Sequence, residues 1–160
     1  MPKLVKDKAV VDNDWVRVAA GEEIPASGNV LVNVADWADN AEALAARGAG
    51  LWLDSDQAPA LIEVDVNSLP VIAINFPAFA DGRGYSYAYI LRNEKGFTGE
   101  LRAVGDVLRD QMFYMQRVGF NAFEVREDRD TVTAVDSLSD FDTTYQASTD
   151  DSKPLFAKRW

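Results

Sequence analysis

Residues 76–124 read FPAFADGRGYSYAYILRNEKGFTGELRAVGDVLRDQMFYMQRVGFNAFE. Six of the chain's ten glycines and five of its ten arginines fall here, among apolar runs that alternate strand, helix and strand. Glycines at this density mark sharp turns or close backbone approaches. Arginines at this density, in a chain of net charge −10, indicate a local need for positive charge. The stretch starts on the last residue of Val71–Phe76 (VIAINF), a strand with five apolar residues out of six. Beyond it, Gly84–Lys95 reads as helix and Glu100–Val104 as strand. Val107–Val118 follows as a helix capped by Asp106 and ended by Gly119, and Phe120–Arg126 is the next strand.

The same rhythm extends upstream. Val30–Val34 (VLVNV) reads as a buried strand, and Asp36 or Asp39 offers an N-cap to a short helix at Asn40–Arg47, closed by Gly48. Leu51–Leu53 is a further strand, whereas Leu61–Val66 fits an extended segment or a helix equally well. Strands alternating with helices of about a dozen residues imply βαβ units and right-handed crossovers. The expected fold class is therefore α/β, one domain over residues 1–146 with a mostly parallel sheet, followed by a flexible tail over 147–160. The sheet is either open or curled like part of a β/α barrel. In both cases the loops after the strand ends are the default site. They carry Asp54 and Asp56, then Asp81–Gly84, then Gly105 and Asp106, then Glu127 and Asp128.

Absences restrict the chemistry. The chain has no Cys, so disulfides, thiolate nucleophiles and Cys-held metal or iron–sulfur centres are excluded. It has no His, the usual general base near neutral pH and the commonest metal ligand. No catalytic residue, metal or cofactor is assigned, although a carboxylate-only Mg²⁺ site stays open. No apolar run approaches the roughly 18–20 residues of a membrane span, and the N-terminus lacks a signal-peptide pattern, so a cytoplasmic location is expected. Residues 9–70 hold eleven acidic side chains against two basic ones, and residues 131–152 hold five against none. Such acidity disfavours nucleic acid, whose phosphates need clustered cations. It suits a basic protein partner or, at the arginine-bearing stretch, a small anion; acidity that serves only solubility is the plainer alternative.

Asp81–Gly84 (DGRG) lies between a strand and a helix, where backbone amides and the forked Arg83 guanidinium could hold an oxyanion with help from Ser86. Tyr87 stands where a dinucleotide fingerprint needs its third glycine. A tight turn in which Arg83 pairs with a carboxylate is the structural alternative. Arg102, in an otherwise apolar strand, needs Asp106, Glu100 or an anion as partner. The anion-site candidates are Asp81, Gly82, Arg83, Gly84, Ser86, Arg92, Arg102 and Asp106. A second set points to a protein interface, unless tertiary structure covers Phe113: Arg109, Phe113 and Arg117 share the helix face opposite its Leu108, Met112 and Met115 core stripe, which Val107, Tyr114 and Val118 widen. Phe156 and Trp160 in the tail are further anchors, unless the tail is merely a frayed end. Both functional readings expect the loop after Val71–Phe76 and the two helices beyond it to present their guanidinium groups outward.

The runs FPAFADGRGYSYAYILR, FTGELRAVGDVLRDQ and RVGFNAFEV resemble, in one register, a small bacterial family known as domain of unknown function 934. Weaker similarity reaches Asp14–Trp15, Val30–Trp37 and Tyr145–Gln146, and the tail lies outside the pattern. The family has no established activity. The resemblance implies a setting in sulfur assimilation, because its members tend to be encoded beside assimilatory sulfite reductase and phosphoadenylyl-sulfate reductase. Without Cys or His the chain cannot ligate siroheme or an iron–sulfur cluster through those residues. The leading expectation is an accessory subunit that binds sulfite reductase, or another sulfate-assimilation enzyme, without carrying its redox centres. The alternative is a small enzyme or sensor for an oxyanion or nucleotide-like ligand at Asp81–Ser86, and a flavin-binding electron carrier ranks third.

Overall fold

The computed structural model describes residues 3–126, 128 and 130–158. Its strands are β1 (Lys3–Lys6), β2 (Ala9–Asp12), β3 (Trp15–Arg17), β4 (Asn29–Asn33), β5 (Gly50–Leu53), β6 (Val71–Phe76), β7 (Glu100–Gly105) and β8 (Ala122–Glu124). The helices are α1 (Val34–Ala46), α2 (Arg83–Tyr89), α3 (Arg109–Val118) and α4 (Thr131–Ser137). The strands form one sheet in the order β2-β1-β8-β7-β6-β5-β4-β3. Strands β3 to β8 run parallel in unbroken chain order, and β1 pairs antiparallel with both β2 and β8.

That order forces curvature. A flat eight-stranded sheet would hold its edges about 34 Å apart at the usual strand spacing. Yet β2 and β3 are its two edges, and the link from Asp12 to Trp15 spans at most about 11 Å. The sheet is therefore curled, a half-barrel, which decides between the two shapes that the sequence left open. Strand alternation gives it two apolar faces. Leu51, Ile72, Ile74, Leu101, Ala103 and Phe123 pack outward against the helices, with Trp37, Leu44, Leu91, Met112 and Met115. Leu31, Trp52, Val71, Ala73 and Val104 line the inner face with Trp15. Both faces of the parallel strands are buried, hence their nearly continuous apolar runs.

Several boundaries differ from expectation. The first helix begins at Val34, not Asn40, because the Asn33 side chain accepts from the Ala35 N–H and caps it at the end of β4. Asp36 and Asp39 are not its caps; Asp36 instead accepts from the Gly21 N–H. Helix α3 starts at Arg109 with Leu108 at the cap position and no side-chain cap. Asp106 is drawn away by Arg126, whose Nη1 donates to Asp106 Oδ1 at 2.9 Å. Val107 N bonds back to Gly105 O, which spends these residues on a turn. Residues 61–66 are neither strand nor α-helix, but connect 3₁₀ turns at Pro59–Leu61 and Val66–Ser68. The strand expected over 120–126 shortens to Ala122–Glu124. Strands β1, β2 and β3 and helix α4 were not foreseen.

Candidate functional site

The arginines of 76–124 divide sharply once folded. Arg102 is 1% exposed. It bonds Glu100 Oε1 at 2.6 and 2.7 Å and the Asn13 side chain at 2.9 Å, beneath the Trp15 ring. Lys6 completes the cluster at 2.8 Å from Glu100, and Asn13 donates to Glu124. The cluster fastens the link between β2 and β3 to the inside of the sheet. The sequence named Glu100 as a partner; burial leaves Arg102 no access to an anion from solvent.

Arg92 is half-buried, and its guanidinium is committed within the molecule. Its guanidinium donates to the carbonyls of Gly119, Phe97 and Gly99 and to Asn121 Oδ1. Helix α2 relaxes into a π turn at Ile90–Glu94, which includes Arg92. Burial lowers the affinity of Arg92 for its proton. Arg117, expected on an outer face, is 6% exposed and closes on Asp150 Oδ1 at 2.9 Å and on the Gln146 carbonyl. Ser148 Oγ and the Thr149 amide donate to the Arg117 carbonyl, so the segment read as the start of a tail is tied to the end of α3. Three of the five arginines are thus spent inside the molecule.

The 81–86 loop is turned back on itself. Asp81 Oδ1 accepts from Arg83 N and Nε at 3.2 and 3.0 Å, and Oδ2 accepts from Nη2 at 2.7 Å. Arg83 Nη2 also reaches Ser55 Oγ at 3.0 Å. The Arg83 guanidinium holds the Asp81 carboxyl far below the usual carboxylate range, and Asp81 raises Arg83 in turn. Gly82 occupies the cap position of α2 in ordinary right-handed geometry. Gly84 lies against Phe76, whose ring would meet an added Cβ at 2.5 Å, so this glycine serves close packing. Ser86 faces solvent. Asp106 belongs to a separate group with Arg126 and Asp128. The structure joins Asp81 and Arg83 but does not bring Arg92, Arg102 or Asp106 to them by any hydrogen bond or ion pair.

Around α2, α3 and the segment after α4, the large apolar side chains that face outward are aromatic. Phe79, Tyr89, Tyr114, Phe141, Tyr145 and Phe156 are each 48–65% exposed. They come from the loop before α2, from α2 and α3, and from the segment after α4. Tyr85 and Tyr114 join the two helices with ring centroids 5.4 Å apart, and Tyr85 packs edge-on against Phe76. Burial pushes the Tyr85 hydroxyl up, against the opposing pull of Gln111. Gln111 Nε2 donates to the Phe79 carbonyl, holding that loop beside α3. Phe113 is half-buried and meets Phe141 edge-on at 5.1 Å. Leu155 N bonds Tyr145 O, so residues 145 and 155 are held together. Arg109 is exposed beside Asp110 at 3.7 Å. Trp160 lies outside the described residues. Of the expected interface set, Arg109 and Phe156 are exposed, Phe113 is half-covered by Phe141, and Arg117 is internal. Sequence reasoning missed Tyr114, Phe141, Tyr145 and Phe79. The assignment of Tyr114 to the core stripe hid one, and no periodicity marks loop aromatics as exposed.

Among the described residues no helix is long and apolar enough to cross a membrane. Residues 50–156 match the model of a family described as bacterial protein of unknown function, DUF934. The match runs into the segment after residue 146 that the resemblance had left outside the pattern. No curated protein matches, and no solved structure does.

Proposed function

Because the chain belongs to the DUF934 family of bacterial proteins, we propose that it is a non-catalytic accessory subunit that docks onto a larger enzyme of sulfur assimilation in the cytoplasm, the assimilatory sulfite reductase. The observation that carries this reading is the outward set of Phe79, Tyr89, Tyr114, Phe141, Tyr145 and Phe156 around α2, α3 and the C-terminal segment. Aromatic side chains supply large apolar area with a polar handle and are enriched at protein interfaces. Residues 131–152, which pass beside α3, carry five carboxylates and no cation, which suits a partner surface rich in Lys and Arg. The reductase as partner rests on the setting that the family resemblance implies. An oxyanion site at Asp81–Ser86 finds less support, since Arg83 already meets a carboxylate and a hydroxyl.

The test is capture of the purified siroheme sulfite reductase by this chain at moderate salt. The wild-type chain is expected to retain the reductase. Joint Tyr114→Ala and Phe156→Ala replacement is expected to weaken retention at least about tenfold, the scale of one or two interface anchors. Equal retention by the double variant rules out this face, and no retention by the wild-type chain rules out the partner.

A further inference from the structure

We propose that the free edge of strand β2 pairs with the same edge of a second copy of this chain, joining the two sheets antiparallel about Val10. Strand β2 has β1 on one side and stands at the end of the sheet. Edge strands are ordinarily blunted by a proline, a bulge or a charge along the strand. None of these interrupts Ala9, Val10 and Val11, which are apolar, exposed and in regular register with β1. Val10 and Val11 point to opposite faces, and at 41% and 37% exposure neither is covered.

The hydrogen-bond phase of the hairpin fixes what that edge offers. Asp7 and Lys8 both have positive φ, +48° and +66°, as a two-residue type I′ turn requires. The residues flanking such a turn, Lys6 and Ala9, exchange hydrogen bonds, and the pattern alternates along the ladder. Val11 therefore bonds to β1 along with Ala9, whereas Val10 and Asp12 turn their N–H and C=O groups to the free side. Among the described residues no backbone group meets them there. Two copies related by a twofold axis pair only where free-side residues oppose each other. With the axis at Val10, each Val10 bonds the other, and Lys8 of each copy comes beside Asp12 of its mate. Both side chains are exposed and make no ion pair or hydrogen bond among the described residues, so this register matches two opposite-charge pairs at once. With the axis at Val11 instead, Asp12 would face Val10, and Ala9 would face Asn13, which is buried and bonded to Arg102. A second layer supports the same axis. Helix α4 packs on β1 and β2, and Val10 is on its side, since it opposes Val5, which shares the main core with Ala134. The α4 helices of both copies, each with Val132 63% exposed, thus come to one side of the joined sheet and add apolar area to a short ladder.

This pairing does not rest on the docking of another enzyme, and its edge is β2, so either proposal can fail alone. The experiment is sedimentation of the full chain from low micromolar to near-millimolar concentration. The wild-type chain is expected to pass reversibly from monomer to dimer. Val10→Pro removes the free-side N–H without touching the bonds to β1. The loss of two ladder bonds, one from each copy, should weaken association at least about tenfold. Should that variant not fold, judged by circular dichroism, Val10→Lys sets like charges opposite each other and is expected to weaken association as well. The chain has no Cys, so one introduced thiol reports the register. Cα atoms of a hydrogen-bonded pair are about 5.5 Å apart, within disulfide range. On mild oxidation Val10→Cys is expected to give a covalent dimer, and Val11→Cys, which faces Ala9 of the other copy, is not. A wild-type chain that stays monomeric at the highest concentration, or a folded Val10→Pro or Val10→Lys variant that dimerises like the wild type, overturns the pairing. A cross-link through Val11→Cys but not Val10→Cys overturns the register.

Discussion

Arg102 shows how a single side chain can be read correctly in need and wrongly in purpose. A guanidinium in an apolar parallel strand must have a partner. Glu100, two residues away on the same face of β7, provides it, with Asn13 as a third member. Removing the cation leaves a carboxylate that is 8% exposed with Lys6 as its remaining ionic partner. Arg102→Met is therefore expected to cost about 3–5 kcal/mol, measured by urea denaturation. Adding Glu100→Leu should recover much of that loss, because a buried pair replaced by apolar groups is often neutral. A variant with the wild-type midpoint would show that the pair is dispensable. Arg83 is the contrasting case: its partner Asp81 is two residues away and the pair is at the surface, so it sets loop geometry more than stability.

At the scale of elements, the decisive positions are those where backbone geometry overrides side-chain preference. Gly105 ends β7 with φ +94°, and a Cβ there would lie 2.4 Å from the Phe76 carbonyl oxygen, a backbone atom that the sheet holds in place. Gly105→Ala is expected to cost more than about 1 kcal/mol, from the left-handed backbone and the clash together; an unchanged thermal midpoint would refute that. This turn also delays α3 to Arg109, so Asp106 became a partner of Arg126 instead of a cap. A helix boundary read from an N-cap residue is blind to such a turn. Asn33 misled in the opposite direction: it closes β4 and opens α1 at once, while the acidic residues farther on looked like the better caps. Strands β5, β6 and β7 emerged close to expectation because their apolar runs and flanking glycines are local signals, whereas the helix expected over 84–95 stays α-helical only to Tyr89 and continues as the π turn.

For the molecule as a whole, titration follows from composition and from a few carboxylates. The chain has no His or Cys, so no side chain with an ordinary pKa between about 5 and 8 is available to change stability there. The thermal midpoint is expected to be flat from pH 6 to pH 8. Below that plateau the sign is set by Asp81, Asp130 and Asp151. Hydrogen bonds from Arg83, Thr133 and Lys158 respectively hold these carboxyls below their ordinary value. Each binds its proton less readily folded than unfolded. Its stabilising contribution is complete above the ordinary Asp value of about 4 and is lost as pH falls through the folded value. Calorimetric scans should therefore decline below about pH 4. A midpoint that rises on acidification would contradict these assignments. The charge of −10 adds a second expectation at this scale: binding to a basic partner should weaken with salt.

Read alone, the chain determined its α/β class, the parallel strands of its central stretch, and the absence of thiol and imidazole chemistry, because these depend on period, spacing and composition. Tertiary structure decided the curvature, since a two-residue link between edge strands constrains only a sheet whose order is already known. It also decided the direction of the arginines. A helix face or strand position says which way a side chain starts; only the packed neighbours say whether a carboxylate, a carbonyl or water meets its end. The same limit hid the exposed aromatics, because exposure is a property of what surrounds a residue and leaves no trace in its local pattern.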